Sequence, residues 1–248
     1  MKKILLISFV NLTINFGFSQ ILDKANKMLK SSGIPAQNTG QKLSNEEVIT
    51  GLKEALNVGI KNSVDLTSVT DGFLKNYAIR LPFPPDAQKV KAKALELKLN
   101  KQVEEFETTL NRAAEEATKE ALPIFKDAIL NMSVKDGFNI LNGGDGAATK
   151  FLKEQTTSKL VSAFTPKVKE ATSKVKLTDY WNPLISAYNK STLLSGGEKI
   201  NPDLDAYITQ KAIEGLFYMV EKEENKIRKD PAARVSDILV KVFGSLTK

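Results

Sequence analysis

Histidine and cysteine are both absent from the 248 residues of this chain, and the two absences remove much of the common catalytic chemistry. Without them there is no Ser-His-Asp or Cys-His nucleophile, no thiol redox centre and none of the usual zinc or copper sites. No disulfide can form, so the fold must rest on packing. Carboxylate chemistry, Ser-Lys chemistry and an oxygen-ligated cation are what the composition still allows. Long apolar runs are scarce too. The stretch from Ile4 to Phe18 is the clearest, and Asn11, Thr13 and Asn15 interrupt it.

That stretch follows Lys2 and Lys3 and ends at Gly17-Phe18-Ser19, the small-x-small pattern that a signal peptidase cuts. Residues 1–19 therefore read as a secretory leader cleaved before Gln20. The run is shorter than the roughly 20 residues a membrane-spanning helix needs, so no transmembrane segment is expected in the mature chain. With no cysteine behind the leader, lipid attachment at a new N-terminus is excluded. The expected location is the periplasm or the exterior. The formal charge of +7 falls by two with the leader. The remaining lysines alternate with glutamates along helical stretches instead of clustering beside aromatics, which suits a solvated surface and gives no sign of nucleic-acid binding.

Residues 20–43 divide into a short amphipathic helix, apolar at Ile21, Ala25, Met28 and Leu29, and a linker punctuated by Gly33, Pro35, Asn38 and Gly40. A helical domain is expected over 44–248. Ser44 and Glu47 form a capping box at its first helix, and Val48, Leu52, Ala55, Leu56 and Ile60 follow at helical spacing. Residues 63–85 read as irregular. Their end, Leu81-Pro82-Phe83-Pro84-Pro85, must be extended, because proline forbids helix and biases its predecessor away from it; it is expected as a strap pinned by Leu81 and Phe83. The longest periodic seam runs through Leu99, Val103, Phe106, Leu110, Ala113, Ala117 and Ile124 to Asn131, a central packing helix that Pro123 should kink or restart. Ser133 caps a short helix stopping at Gly143-Gly144. Asp145 is expected to cap the next helix, Pro166 to start another, and Pro202-Asp203 to open a long one ending near Arg228. A final helix should follow Asp230-Pro231. The fold class is all-α: a single multi-helix domain of about nine helices with a long central helix and one extended proline-rich strap.

Short motifs with catalytic or metal-binding echoes dissolve on inspection. Leu194-Ser195-Gly196-Gly197-Glu198 matches the signature loop of cassette ATPases, but the chain has no phosphate-cradling G-x-x-x-x-G-K-[ST] loop to work with it. Asn201, Asp203 and Asp205 alternate as at the start of a calcium loop, yet Ala206 and Ala212 stand where glycine and a bidentate glutamate belong. They suit a helix cap with acids at the positive end of the dipole. No metal site and no cofactor are expected. The candidate ligand or partner site is drawn from the polar groups opposite the central seam, Asn111, Arg112 and Glu115, together with Asp145, Tyr180, Trp181, Asn182, Asn201 and Asp203. Local ion pairing or capping accounts for most of these. If the central helix is surrounded, however, Asn111, Arg112 and Glu115 form a buried polar network.

The stretches LNRAAEEATKEALPIF (110–125), GGDGAATKFL (143–152), YWNPLISAYNK (180–190), NPDLDAYITQKAIEGLFYMVEKEE (201–224) and DPAARVSDILVKVFG (230–244) resemble a family of exported bacterial proteins catalogued as a domain of unknown function. The resemblance implies no activity, cofactor or site residue. The reading that export and the missing catalytic residues favour is a non-enzymatic module that binds an envelope protein, an apolar ligand or a membrane surface. The alternative is a carboxylate-dependent hydrolase acting in the periplasm through acids such as Glu115 or Asp145, which requires two carboxyls facing one cleft.

Overall fold

A computed structural model describes residues 44–96, 98–174, 181, 185, 186, 189, 190, 199, 203–234 and 236–245. Residues 1–43, which include the expected leader, together with Tyr180, Asn182, Asn201 and the motif Leu194–Glu198, lie outside the described residues. Helix α1 (Asn45–Thr67) opens on the expected capping box: the Glu47 amide donates to Ser44 Oγ and the Ser44 amide to Glu47 Oε2. It runs further than expected, past residue 63. Ser63 and Thr67 stay helical because their hydroxyls donate to the carbonyls of Gly59 and Ser63 at 2.7 and 2.8 Å, which satisfies them inside the core.

The strap is therefore shorter than the sequence suggests, Ser68 to Pro84, and it is apolar on its inner side. Phe73, Ile79, Leu81 and Phe83 are all buried. Pro85–Ala87 form a 3-10 turn leading into α2 (Gln88–Glu96). The expected central helix is two: α3 (Asn100–Thr118) and α4 (Ala121–Leu130). In a continuous helix the Pro123 ring would collide with the Lys119 carbonyl; the break puts Pro123 in a first turn, where its missing N–H is no loss. Ala113, Ala114, Ala117 and Ala121 are fully buried, and their small side chains let the neighbouring helices close in.

Helix α5 (Val134–Asn142) begins on a Ser133–Asp136 capping box and ends at Gly143, followed by Gly144 in the left-handed conformation (φ +76°). Helix α6 (Ala147–Lys174) passes straight through Pro166, where a new segment was expected. Pro166 lies on the solvent side, so the Ser162 carbonyl that loses its partner is open to water. Helix α7 (Leu204–Lys229) is capped by Asp203, whose carboxylate accepts from the Ala206 amide. A 3-10 turn, Pro231–Ala233, precedes α8 (Asp237–Ser245). Fewer than the expected nine helices are delimited, and no strand occurs among the described residues. All of these elements belong to the unit Leu43–Lys248.

Helix α7 packs against α1, α3 and α6, and α6 runs antiparallel to it: Thr149 meets Glu224 at one end and Thr172 meets Asp205 at the other. The strap crosses α7 at Gly215. A methyl group there would come within 2.6 Å of the Phe73 ring, so the absent side chain is what lets the strap lie close. No helix among the described residues is long and apolar enough to cross a membrane.

Candidate functional site

On α3, residues 107, 111 and 115 recur every four positions and so share one stripe. Each holds the strap. Glu107 accepts from Arg80 on the strap (3.0 Å) and Lys91 on α2 (2.5 Å). Asn111, fully buried, accepts from the Leu81 amide at 2.8 Å and donates to the Leu81 carbonyl at 3.0 Å. Its side-chain amide thus pairs with extended backbone as a neighbouring strand would. Glu115 accepts from the amides of Phe73 (3.1 Å) and Leu74 (3.2 Å) on one oxygen and from Arg112 (2.6 Å) on the other. From α7, Tyr207 donates its hydroxyl to the Pro82 carbonyl at 3.0 Å.

Arg112 bridges Glu115 to Asp71, with Nη2 at 2.6 Å from Asp71 Oδ1, and Lys75 completes the chain at 2.7 Å. The hydrogen bonds from Lys75 and then Arg112 hold the Asp71 carboxyl below its ordinary range. The Glu115 bond, with Asp71 behind it, raises the Arg112 guanidinium still higher against the opposing effect of burial. Burial pushes the Tyr207 phenol up to about 12, with the charges of Glu214 and Glu107 acting in the same direction. Asn111, Arg112 and Glu115 are therefore brought together as the sequence suggested, on the Leu110–Thr118 half of α3, which is largely buried. Their polar atoms are spent on the strap.

A second buried network escaped the sequence reading. Glu224 accepts from the amides of Ala148 (3.0 Å) and Thr149 (2.9 Å) and from the Thr149 hydroxyl (2.8 Å), satisfying the first turn of α6 from another helix. Arg228, one turn on, binds Glu224 and donates to the carbonyls of Ile140 (2.8 Å) and Leu141 (3.4 Å) at the end of α5. One pair on α7 thus seals two helix ends. In sequence, Glu224 and Arg228 look like a solvated i,i+4 pair. The available signal was that Glu224 falls in register with Leu216 and Val220 on the buried stripe. Asp145, expected as the cap of α6, is instead half-exposed and paired with Lys229; Glu224 already occupies the donors.

Trp181 is 3 % exposed and completes an aromatic cluster with Phe83 of the strap and Phe106 of α3, at centroid distances of 5.9 and 5.2 Å. It serves the core. Asp203 stands at one end of a groove of about 740 Å³ between α6 and α7. The walls are Lys153, Thr157, Val161, Thr165 and Lys169 on α6 and Asp205, Thr209, Ile213, Glu214 and Phe217 on α7. Asp205 is held by the Thr172 hydroxyl and Glu214 by Gln210 and Lys211. Lys153 lies 5.5 Å from the centre of the Phe217 ring. Thr209 is the exception to a well-satisfied interior: its hydroxyl is buried and is the one such side-chain atom without a hydrogen-bond partner among the described residues. Nothing in the sequence singles it out.

The helices, the clamped strap and the lateral groove define a helical protein whose buried polar groups serve its architecture. The chain belongs to the DUF4197 family of proteins of unknown function, whose profile matches residues 42–244. Neither a curated protein nor a solved structure matches the chain.

Proposed function

We propose that this protein is a non-enzymatic binding module of the cell envelope which takes its ligand or partner in the groove between α6 and α7. The Thr209 hydroxyl carries the reading. An unpaired buried hydroxyl costs on the order of 1–3 kcal/mol, and the residue that carries it lines a concavity of the size that suits a small ligand, roughly 300–1,000 Å³. The apolar floor of Ile213 and Phe217 and the polar walls fit the same use. The envelope location rests on the leader read from residues 1–19, and N-terminal sequencing of the exported chain, with Gln20 expected first, tests it.

The hydrolase alternative draws no support from the acids. Glu115 and Glu224 have both oxygens bound, to backbone amides and to arginine or threonine. In the groove, Asp203 is used as the cap of α7 on the Ala206 amide and Asp205 is held by the Thr172 hydroxyl. Glu214 stands nine positions beyond Asp205, about 13 Å along the axis, outside the roughly 5–10 Å over which paired carboxyls work.

The test uses the anionic apolar dye anilinonaphthalene sulfonate. Saturable binding is expected, weakened at least about tenfold by Val161→Glu, which places a charge on the half-exposed groove wall. Thr209→Val should weaken binding while raising the stability of the free protein by about 1 kcal/mol, since it removes a polar group without a partner. Binding that ignores both substitutions would remove the groove from consideration.

A further inference from the structure

The turn between α4 and α5 presents two bulky apolar side chains to solvent, Leu130 at 74 % exposure and Val134 at 54 %. Met132 between them is buried and anchors the turn, and Ser133 fixes its exit through the capping box. Scattered exposed apolar residues need no explanation. These two share a five-residue tip with lysines around it. Lys53 on α1 reaches across to donate to the Leu130 carbonyl at 2.9 Å. Lys126 lies one turn before Leu130, and with Lys53 it lines a shallow groove between α1 and α4 that ends at Leu130; Lys135 follows Val134. Lys159 neutralises Asp127, while Asp136, held by Ser133, and Glu54 in the groove wall keep their charges, so Lys53, Lys126 and Lys135 leave the tip with a small positive excess. Lys53, Lys126 and Lys135 make no salt bridge among the described residues.

The geometry points to a membrane-docking tip, in which Leu130 and Val134 enter the headgroup–acyl boundary of an anionic lipid surface while Lys53, Lys126 and Lys135 meet the headgroups. Two apolar side chains alone give a weak anchor, and basic residues near an anionic surface supply the second signal that makes such binding measurable. The tip is rigid, because both flanking helices are packed and capped, so no ordering cost opposes insertion. The site is separate from the α6–α7 groove and stands or falls independently of it.

Flotation with lipid vesicles tests this, using the chain from Gln20 onward, which retains the whole unit Leu43–Lys248. Binding is expected to vesicles containing phosphatidylglycerol and to fall as salt screens the lysines. It should drop at least about tenfold in the Leu130→Ser, Val134→Ser double variant, from the apolar area no longer buried. Both positions are exposed, so circular dichroism should show the fold unchanged. Equal binding to pure phosphatidylcholine, or binding indifferent to the double variant, overturns the proposal. So does a double variant that alters the sedimentation of the protein without altering its flotation, which would assign the tip to a contact between copies of the chain.

Discussion

Glu115 shows how a buried acid can be structural without being reactive. Its two oxygens face three donors, two of them strap amides, and the third, Arg112, is still 37 % exposed at its side chain. Breaking a fully buried pair costs about 3–5 kcal/mol, whereas a solvated one is worth under about 1 kcal/mol. Arg112→Met sits between these limits and should destabilise by about 2 kcal/mol, read from the urea unfolding midpoint. A loss below about 0.5 kcal/mol would mean that water replaces the guanidinium and that the two strap amides suffice for Glu115.

The strap is the element on which the polar stripe of α3 acts, and its apolar side contributes as much. Phe83 is 5 % exposed and lies 4.5 Å, centre to centre, from Phe106. Phe83→Ala should cost about 3 kcal/mol; an unchanged melting temperature would show that hydrogen bonding alone retains the strap. Tyr207 adds a dependence on alkaline pH. Its folded-state pKa, about 12, is raised above the ordinary value of 10.0, so its contribution is complete below pH 10 and is lost as the pH rises through 12. The melting-temperature gap between the parent chain and Tyr207→Phe should therefore narrow across that window, and a constant gap would contradict the raised phenol pKa.

How much of this could be read in advance differs by element. Capping boxes at Ser44 and Ser133 were legible because both partners lie within four residues of each other. Leu81 and Phe83 were legible as anchors because the prolines around them bar helix and remove backbone donors, which leaves apolar burial to hold the segment. The strap partners of Asn111 and Glu115 were not. They are backbone amides and a carbonyl from thirty and more residues away, and every residue carries such groups. Asp145 was misread for a related reason: its spacing suits a cap, but Glu224 reaches the same donors from another helix. Pro166 is a case where position on the outer face outweighed the residue's usual effect.

For the whole molecule, the strap ties α1, α3 and α7 into one assembly, and Trp181 reports on it through Phe83 and Phe106. Unfolding should therefore be a single transition, with tryptophan fluorescence and far-ultraviolet circular dichroism coincident across urea. Curves that separate, fluorescence first, would show that the strap region opens before the helices melt.

Two of the places where α3 grips the strap backbone are unequally spaced along helix and strap. Asn111 and Glu115 are four residues apart on a helix, about 6 Å along its axis. The strap residues they hold, Leu74 and Leu81, are seven apart, enough chain to reach more than 20 Å if stretched. The surplus is taken up in a turn about Asn76, whose carbonyl accepts from Ile79 and Arg80, and it leaves Tyr77 at 92 % exposure. The chain therefore has slack at a point fastened on both sides. A few extra residues after Tyr77 would lengthen a loop at a cost that grows slowly with length, without disturbing either fastening. The Tyr77–Ala78 junction is a natural place to splice in a peptide tag while leaving both termini free.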